Sequence, residues 1–189
     1  MSPALRTGLL ITRRIAIVVA FVLVLLRPGF GETKLPTQLT DVDVIVVVDR
    51  TRSMAALDYD GREPRITGAK KDMTDLVESL PGARLAMLAF GTDARLLLPF
   101  TTDSAAFTAA VETLYLEGPK DGLGSRADRP VAELKEVLER AKEKDPDRRR
   151  MVIYIGDGED TTEEGQDQDF GDLEEVVDGG IVLGYGTEE

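Results

Sequence analysis

The sequence predicts a doubly wound α/β domain with a mostly parallel sheet and helices on both faces. Three observations carry that expectation: β-branched runs that stop abruptly on an acid, amphipathic helical stretches between them, and a single plausible hairpin. Residues 42–48 (VDVIVVV) form the first such run, ending at Asp49; its lack of alternation is that of a strand buried on both faces. Ile66, Ala69, Met73, Leu76, Val77 and Leu80 then recur at helical spacing, and Pro81-Gly82 ends that helix before a second strand over residues 84–90. Residues 96–100 make a third strand, so the hairpin falls within residues 84–100.

Asp103 or Ser104 can cap the next helix, whose apolar stripe is Phe107, Ala110, Val111 and Leu114. A glycine-rich loop over residues 118–124 follows, and Val131, Leu134, Val137, Leu138 and Ala141 mark another amphipathic helix with Pro130 near its first turn. Residues 151–155 are a further buried strand running into Gly156-Asp157-Gly158. Leu173, Val176 and Val177 suggest a short helix before a last strand over residues 181–183.

Composition narrows the chemistry. The chain has 189 residues, 42% of them apolar, enough for one domain and a short extension. Its net charge of -12 conceals an asymmetry, because residues 1–31 hold four bases and no acid. The remainder carries 19 bases against 35 acids, about -16, a surface that repels nucleic acid and attracts cations or basic proteins. With no cysteine and no histidine, thiol chemistry, disulfides and the commonest transition-metal ligand are excluded. Any bound metal should therefore be a hard cation held by oxygen.

Residues 15–26 (IAIVVAFVLVLL) are an unbroken apolar run between Arg13-Arg14 and Arg27-Pro28-Gly29. Snorkelling of the flanking arginines, with Pro28 to Phe30 adding depth, makes residues 15–30 readable as an uncleaved membrane anchor. A cleavable signal peptide is the alternative, although Gly29-Phe30-Gly31 is a poor cleavage site. Either way the basic flank stays cytoplasmic and the acidic domain faces outward. The expected organisation is an anchor or signal over residues 1–31, a linker over 32–40 and the domain over 41–189.

In doubly wound sheets, ligands sit beyond the carboxyl ends of the strands. Asp49-Arg50-Thr51-Arg52-Ser53 follows the first strand, and Gly156-Asp157-Gly158-Glu159-Asp160 follows the late one, with Gly122-Leu123-Gly124-Ser125 between them in sequence. Hydroxyls and carboxylates from separate loops suit a cation such as Mg²⁺, which takes about six oxygens and keeps several waters. No lysine precedes Ser125, so the glycine-rich loop is not a phosphate loop.

This arrangement resembles the metal-ion-dependent adhesion site of von Willebrand factor A-type (vWA) domains, over roughly residues 42–186. In that family the pattern is Asp-x-Ser-x-Ser on one loop, a Thr on a second and an Asp on a third. Asp49, Thr51 and Ser53 match the first loop, Ser125 stands where the family has Thr, and Asp157 matches the last. The resemblance implies that the hydroxyls touch Mg²⁺ (or Mn²⁺ or Ca²⁺) directly, that the aspartates often act through water, and that an acidic group on a protein partner completes the shell. The chain is most similar to the bacterial membrane-anchored BatA-like branch, which also has a hydrophobic helix ending in Arg-Pro before the domain.

Three departures follow from the comparison. Thr51 and Ser125 exchange one hydroxyl for another; Arg52 replaces a usual Gly and sets two guanidinium groups, Arg50 and Arg52, near the cation; and the family continues past Gly186 through another helix and strand. The expected function is a non-enzymatic, metal-dependent protein-interaction module. The alternatives are a structural vWA scaffold without metal and a Mg²⁺-dependent phosphohydrolase with Asp49 as nucleophile. Against the latter, enzymes of the haloacid dehalogenase type carry Asp-x-Asp at the strand end, where Thr51 stands here.

Overall fold

The computed structural model describes residues 39–118, 124–161 and 167–186. The apolar run at residues 15–26 and the boundaries drawn through it lie outside the described residues, as does most of the glycine-rich loop. Among the described residues, no helix is long and apolar enough to cross a membrane.

Five strands form one sheet in the order β3-β2-β1-β4-β5: β1 (Val42–Asp49), β2 (Arg84–Phe90), β3 (Ala94–Thr101), β4 (Arg149–Gly156) and β5 (Gly179–Gly184). β1 is central and runs parallel to β2 and β4, with Val46 level with both Met87 and Ile153. β5 continues the parallel order beyond β4, while β3 alone turns back, antiparallel to β2. That is the expected fold, including its single hairpin. β3 shows the edge-strand alternation of half-buried and exposed residues that the β-branched central strands lack.

Pleating sends alternate residues of β1 to opposite faces, and each face has its own helices. Val44, Val46 and Val48 pack with Met73 of α1 (Arg65–Ser79) and with Phe107 and Val111 of α2 (Ser104–Thr113). Ile45 and Val47 pack with Leu134 and Leu138 of α3 (Val131–Lys144) on the other face. α2 starts where Asp103 accepts a hydrogen bond from the Ala106 amide, so of the two cap candidates Asp103 does the capping. Pro130 stands immediately before α3, where its missing amide is no loss. The short helix expected around Leu173–Val177 is instead a single 3-10 turn, Phe170–Leu173, opened by Asp169 accepting from the Gly171 amide. Too few residues separate that cap from β5 for an α-helix to propagate. Leu39, expected in the linker, already donates its amide to the Pro81 carbonyl and packs on the core.

The amino end of β1 is closed by a buried ion cluster. Asp43, 1% exposed, accepts two hydrogen bonds from Arg84 (2.7 and 2.6 Å) and one from Arg148 (2.6 Å). Burial alone would push its carboxyl up, but hydrogen bonds and charge from the two arginines outweigh it and hold the group below the usual range. Asp43→Ala would leave two guanidinium groups facing each other without their shared anion. Urea denaturation at pH 7 should show a loss of about 3 kcal/mol, the usual cost of removing one partner from a buried pair; a loss within error of zero would mean that the cluster contributes nothing.

Candidate metal centre

β1 delivers Asp49 to the carboxyl edge of the sheet with its side chain still buried, 2% exposed, between neighbours on both sides. On the β4 side a side chain at Gly156 would bring its Cβ to 3.1 Å from the Asp49 Cβ and 3.2 Å from the Tyr154 ring, a tight fit that would press on both side chains. Asp49 Oδ1 accepts the Thr51 amide at 2.7 Å, which bends the chain back over the strand end. A 3-10 turn over Arg52–Ala55 follows, pinned by the fully buried Met54. The result places the Thr51 and Ser53 hydroxyls 2.8 Å apart, hydrogen-bonded to each other.

Ser125 arrives from the loop before α3. Gly124 has φ +113°, a conformation open to glycine and strained for other residues, and it turns Ser125 inward. Two bonds then fix Ser125 to the loop after β4: its amide donates to Thr161 Oγ1 (2.8 Å) and its carbonyl accepts the Thr161 amide (2.9 Å). Its own hydroxyl is buried and makes no hydrogen bond among the described residues. A buried hydroxyl without a partner is costly unless something else takes its oxygen.

Thr51, Ser53, Ser125, Thr161, Glu117 and Glu159 line one cavity of about 170 Å³ at this edge. A larger apolar cleft of about 590 Å³ runs along β5 past Tyr154, Phe170 and Leu173, but it lacks such a convergence of hydroxyls. Among the described residues no three carboxylates cluster tightly enough to form a metal site by themselves. The oxygen set here is mixed, hydroxyls with flanking acids, and it is a hard set suited to Mg²⁺ or Mn²⁺.

Asp157, immediately after β4, is the fifth residue singled out in the sequence. Its side chain is 1% exposed, with Oδ2 accepting from Arg65 Nη1 (2.9 Å) and Oδ1 accepting the Glu159 amide (3.1 Å). Arg65 is held in turn by Asp58 through two hydrogen bonds of 2.8 and 2.6 Å. Arg50 does not itself line the cavity: its guanidinium lies 3.5 Å from Asp93, 3.8 Å from the cavity-lining Glu117 and over the Tyr115 ring. Arg52 is exposed and lines the cavity.

Sequence reasoning missed Arg65, Glu117 and Thr161. Thr161 lies four residues past Asp157 and could have been found by scanning that loop for hydroxyls. Glu117 is placed by Gly91, where a Cβ would come within 2.3 Å of its Oε1, and by the Thr92 amide it accepts at 2.6 Å. Nothing local in sequence announces that contact, nor the one from Arg65 across 92 residues to Asp157.

The sequence profile of the von Willebrand factor type A domain matches residues 44–159, more than half of the chain. The chain belongs to the vWA family. A crystal structure of a conserved hypothetical protein, BatB from Bacteroides thetaiotaomicron, is similar at 26% identity and a TM-score of 0.54, covering 76% of this chain and 66% of that one. An aerotolerance-related membrane protein from Bacteroides fragilis is similar in fold, at 23% identity and a TM-score of 0.51, covering 64% of this chain and 56% of that one. An uncharacterized protein of Borreliella burgdorferi is 24% identical over 107 residues, 54% of this chain and 31% of its own length. The vWA chain thus spans about a third of that curated relative and at most two thirds of the solved ones. Within the family it is similar to BatB, and domains of this family are generally interaction or scaffold modules.

Burial pushes the Asp49 carboxyl up to about 6; hydrogen bonds from Thr51 oppose this, and the nearby charges of Asp157 and Glu117 add to it. Unfolded, Asp49 titrates near 3.8, so between 3.8 and about 6 the folded vWA domain binds more protons than the unfolded chain. Its contribution to stability therefore falls as pH rises through that window and stays low above it. In EDTA, Asp49→Asn should be more stable than wild type at pH 7.5, by of order 2 kcal/mol, with the advantage disappearing near pH 4. Thermal melts at the two pH values check this; an Asn variant less stable at pH 7.5 would show that the carboxylate is better solvated than its burial suggests.

Proposed function

We propose that this vWA domain is a divalent-cation-dependent protein-binding module. In this reading the Thr51, Ser53 and Ser125 hydroxyls hold Mg²⁺, or Mn²⁺ or Ca²⁺ in its place, and Asp49 and Asp157 support it through water. The observation that carries the reading is the unpartnered Ser125 hydroxyl in the same cavity as the Thr51–Ser53 pair. A cation would satisfy that oxygen without any change of backbone, because Gly124, Thr161 and the Asp49–Thr51 bond already fix the three loops. When bound, the cation supplies a Lewis-acidic position for an anionic ligand, and the partner's acidic side chain is that ligand.

The residues favour recognition over catalysis. Asp49 is buried and committed to the Thr51 amide, the Thr51 and Ser53 hydroxyls bond each other, and no histidine is present to move a proton. The acidic domain and the basic, apolar residues 15–30 further support a module tethered to a membrane and facing outward. The proteins it resembles include one named as a membrane protein.

Isothermal titration with Mn²⁺ and Mg²⁺ tests the site. Wild type should bind one ion, Asp49→Ala should lose at least tenfold in affinity, about 1.4 kcal/mol, and Ser125→Ala should weaken binding with little loss of fold. Equal affinities for all three proteins would remove the cation from this cavity.

A further inference from the structure

Both oxygens of Asp157 are engaged, one by the Glu159 amide and one by the Arg65 guanidinium. The arginine is no incidental neighbour. It is 14% exposed, and it spans two carboxylates: two hydrogen bonds to Asp58, which is 24% exposed, and one to the fully enclosed Asp157. The chain arranges this deliberately. The segment over residues 56–64 folds back on itself through the paired backbone bonds of Tyr59 and Glu63, with Asp60 and Gly61 both at positive φ, and Arg65 begins α1 directly after it. Gly68 on α1 lies so close to the Tyr59 ring that a Cβ there would come to 2.4 Å, so the returned segment is seated on the helix.

A cation among Thr51, Ser53 and Ser125 that draws on Asp157 through water would share that carboxylate with a positive charge that is already there. We infer that Arg65 is a built-in counter-cation of the site, which competes with the divalent ion for Asp157 and sets its affinity, while Asp58 draws the guanidinium back. This rests on the cation-binding reading above. Coulomb's law gives the sign of each change: removing the Arg65 charge tightens divalent binding, and removing the Asp58 charge leaves the guanidinium wholly to Asp157 and weakens it. The same carboxylate, 1% exposed, loses its only charged partner among the described residues when Arg65 is neutralised, so the protein without cation becomes less stable.

A residue that merely held Asp157 in position would behave oppositely, since its loss would loosen a ligand and weaken the ion. The experiment is Mn²⁺ titration of the full chain with wild type, Arg65→Gln, Arg65→Lys and Asp58→Asn, with thermal melts in EDTA and in saturating Mn²⁺. Arg65→Gln should melt lower in EDTA, show a larger Mn²⁺-induced rise and bind Mn²⁺ roughly tenfold tighter, about 1.4 kcal/mol. Arg65→Lys, which keeps the charge, should stay near wild type, and Asp58→Asn should bind several-fold more weakly. Arg65→Gln with unchanged or weaker Mn²⁺ binding overturns the inference, as does tighter binding by Asp58→Asn. Should Arg65→Gln fail to fold, the Asp58→Asn and Arg65→Lys results decide alone. Absence of binding by wild type, matched by Asp49→Ala, would instead sink the cation site itself and the inference with it.

Discussion

The cavity depends on keeping one carboxylate in place at the end of a strand that water does not reach. β1 carries two buried aspartates, one at each end, and the fold treats them in opposite ways. Asp43 is enclosed by Arg84 and Arg148, which neutralise it and hold its carboxyl low. Among the described residues Asp49 receives no guanidinium, only hydrogen bonds from Thr51, and burial raises its carboxyl. A buried anion stabilised by a neutral donor is poorly compensated. The amino end of the sheet is accordingly a structural closure, and the carboxyl end is where the domain has negative potential in reserve.

That reserve would be useless if the loops around it were loose. The three segments that carry hydroxyls are each fixed by a different device: Met54 buried beneath the Thr51–Ser53 turn, the paired bonds between Ser125 and Thr161, and the close approach of Gly156 to Asp49. None of these devices uses the Ser125 hydroxyl itself. On the proposed reading these contacts preorganise the oxygens, because an ion that needs several ligands at once gains little from ligands that must first be ordered.

How far the sequence disclosed this depended on whether the governing interaction was local. The β-branched stretch ending at Asp49 and the helical spacing from Ile66 to Leu80 are each decided by which face a residue must bury, so the mostly parallel sheet, its hairpin and helices on both faces were readable, whereas the strand order was not. The five candidate residues lie at strand ends and in turns, where the sequence marks them, and the fold brings the hydroxyls of three of them, Thr51, Ser53 and Ser125, to one cavity. What escaped was the orientation of long side chains. Arg50 looked, from its place beside Asp49, like a charge aimed at the centre, yet it meets the cavity only through Glu117 and is otherwise held by Asp93 and the Tyr115 ring. Arg65 looked like the first turn of a helix and reaches a carboxylate 92 positions on. The 3-10 turn at Phe170–Leu173 shows the same limit on a smaller scale, since three apolar residues at helical spacing do not say whether enough chain exists to propagate a helix.

On the proposed reading, the charge balance around the cavity also explains why a partner's acid should be needed. Hydroxyl ligands are neutral, Asp157 is already shared with Arg65 and Glu117 with Arg50, and Arg52 stands at the rim, so part of the charge of a divalent ion would remain uncancelled. Were the same cavity built from four unpaired carboxylates, the ion would bind tightly and attract nothing further. A centre that leaves net positive charge on its ion, within a domain whose surface is otherwise strongly negative, offers an acidic side chain one favourable place to dock and discourages it elsewhere. Selectivity of that kind comes from the contrast between site and surface, and raising the number of acids at the centre would weaken it even as it strengthened the hold on the ion.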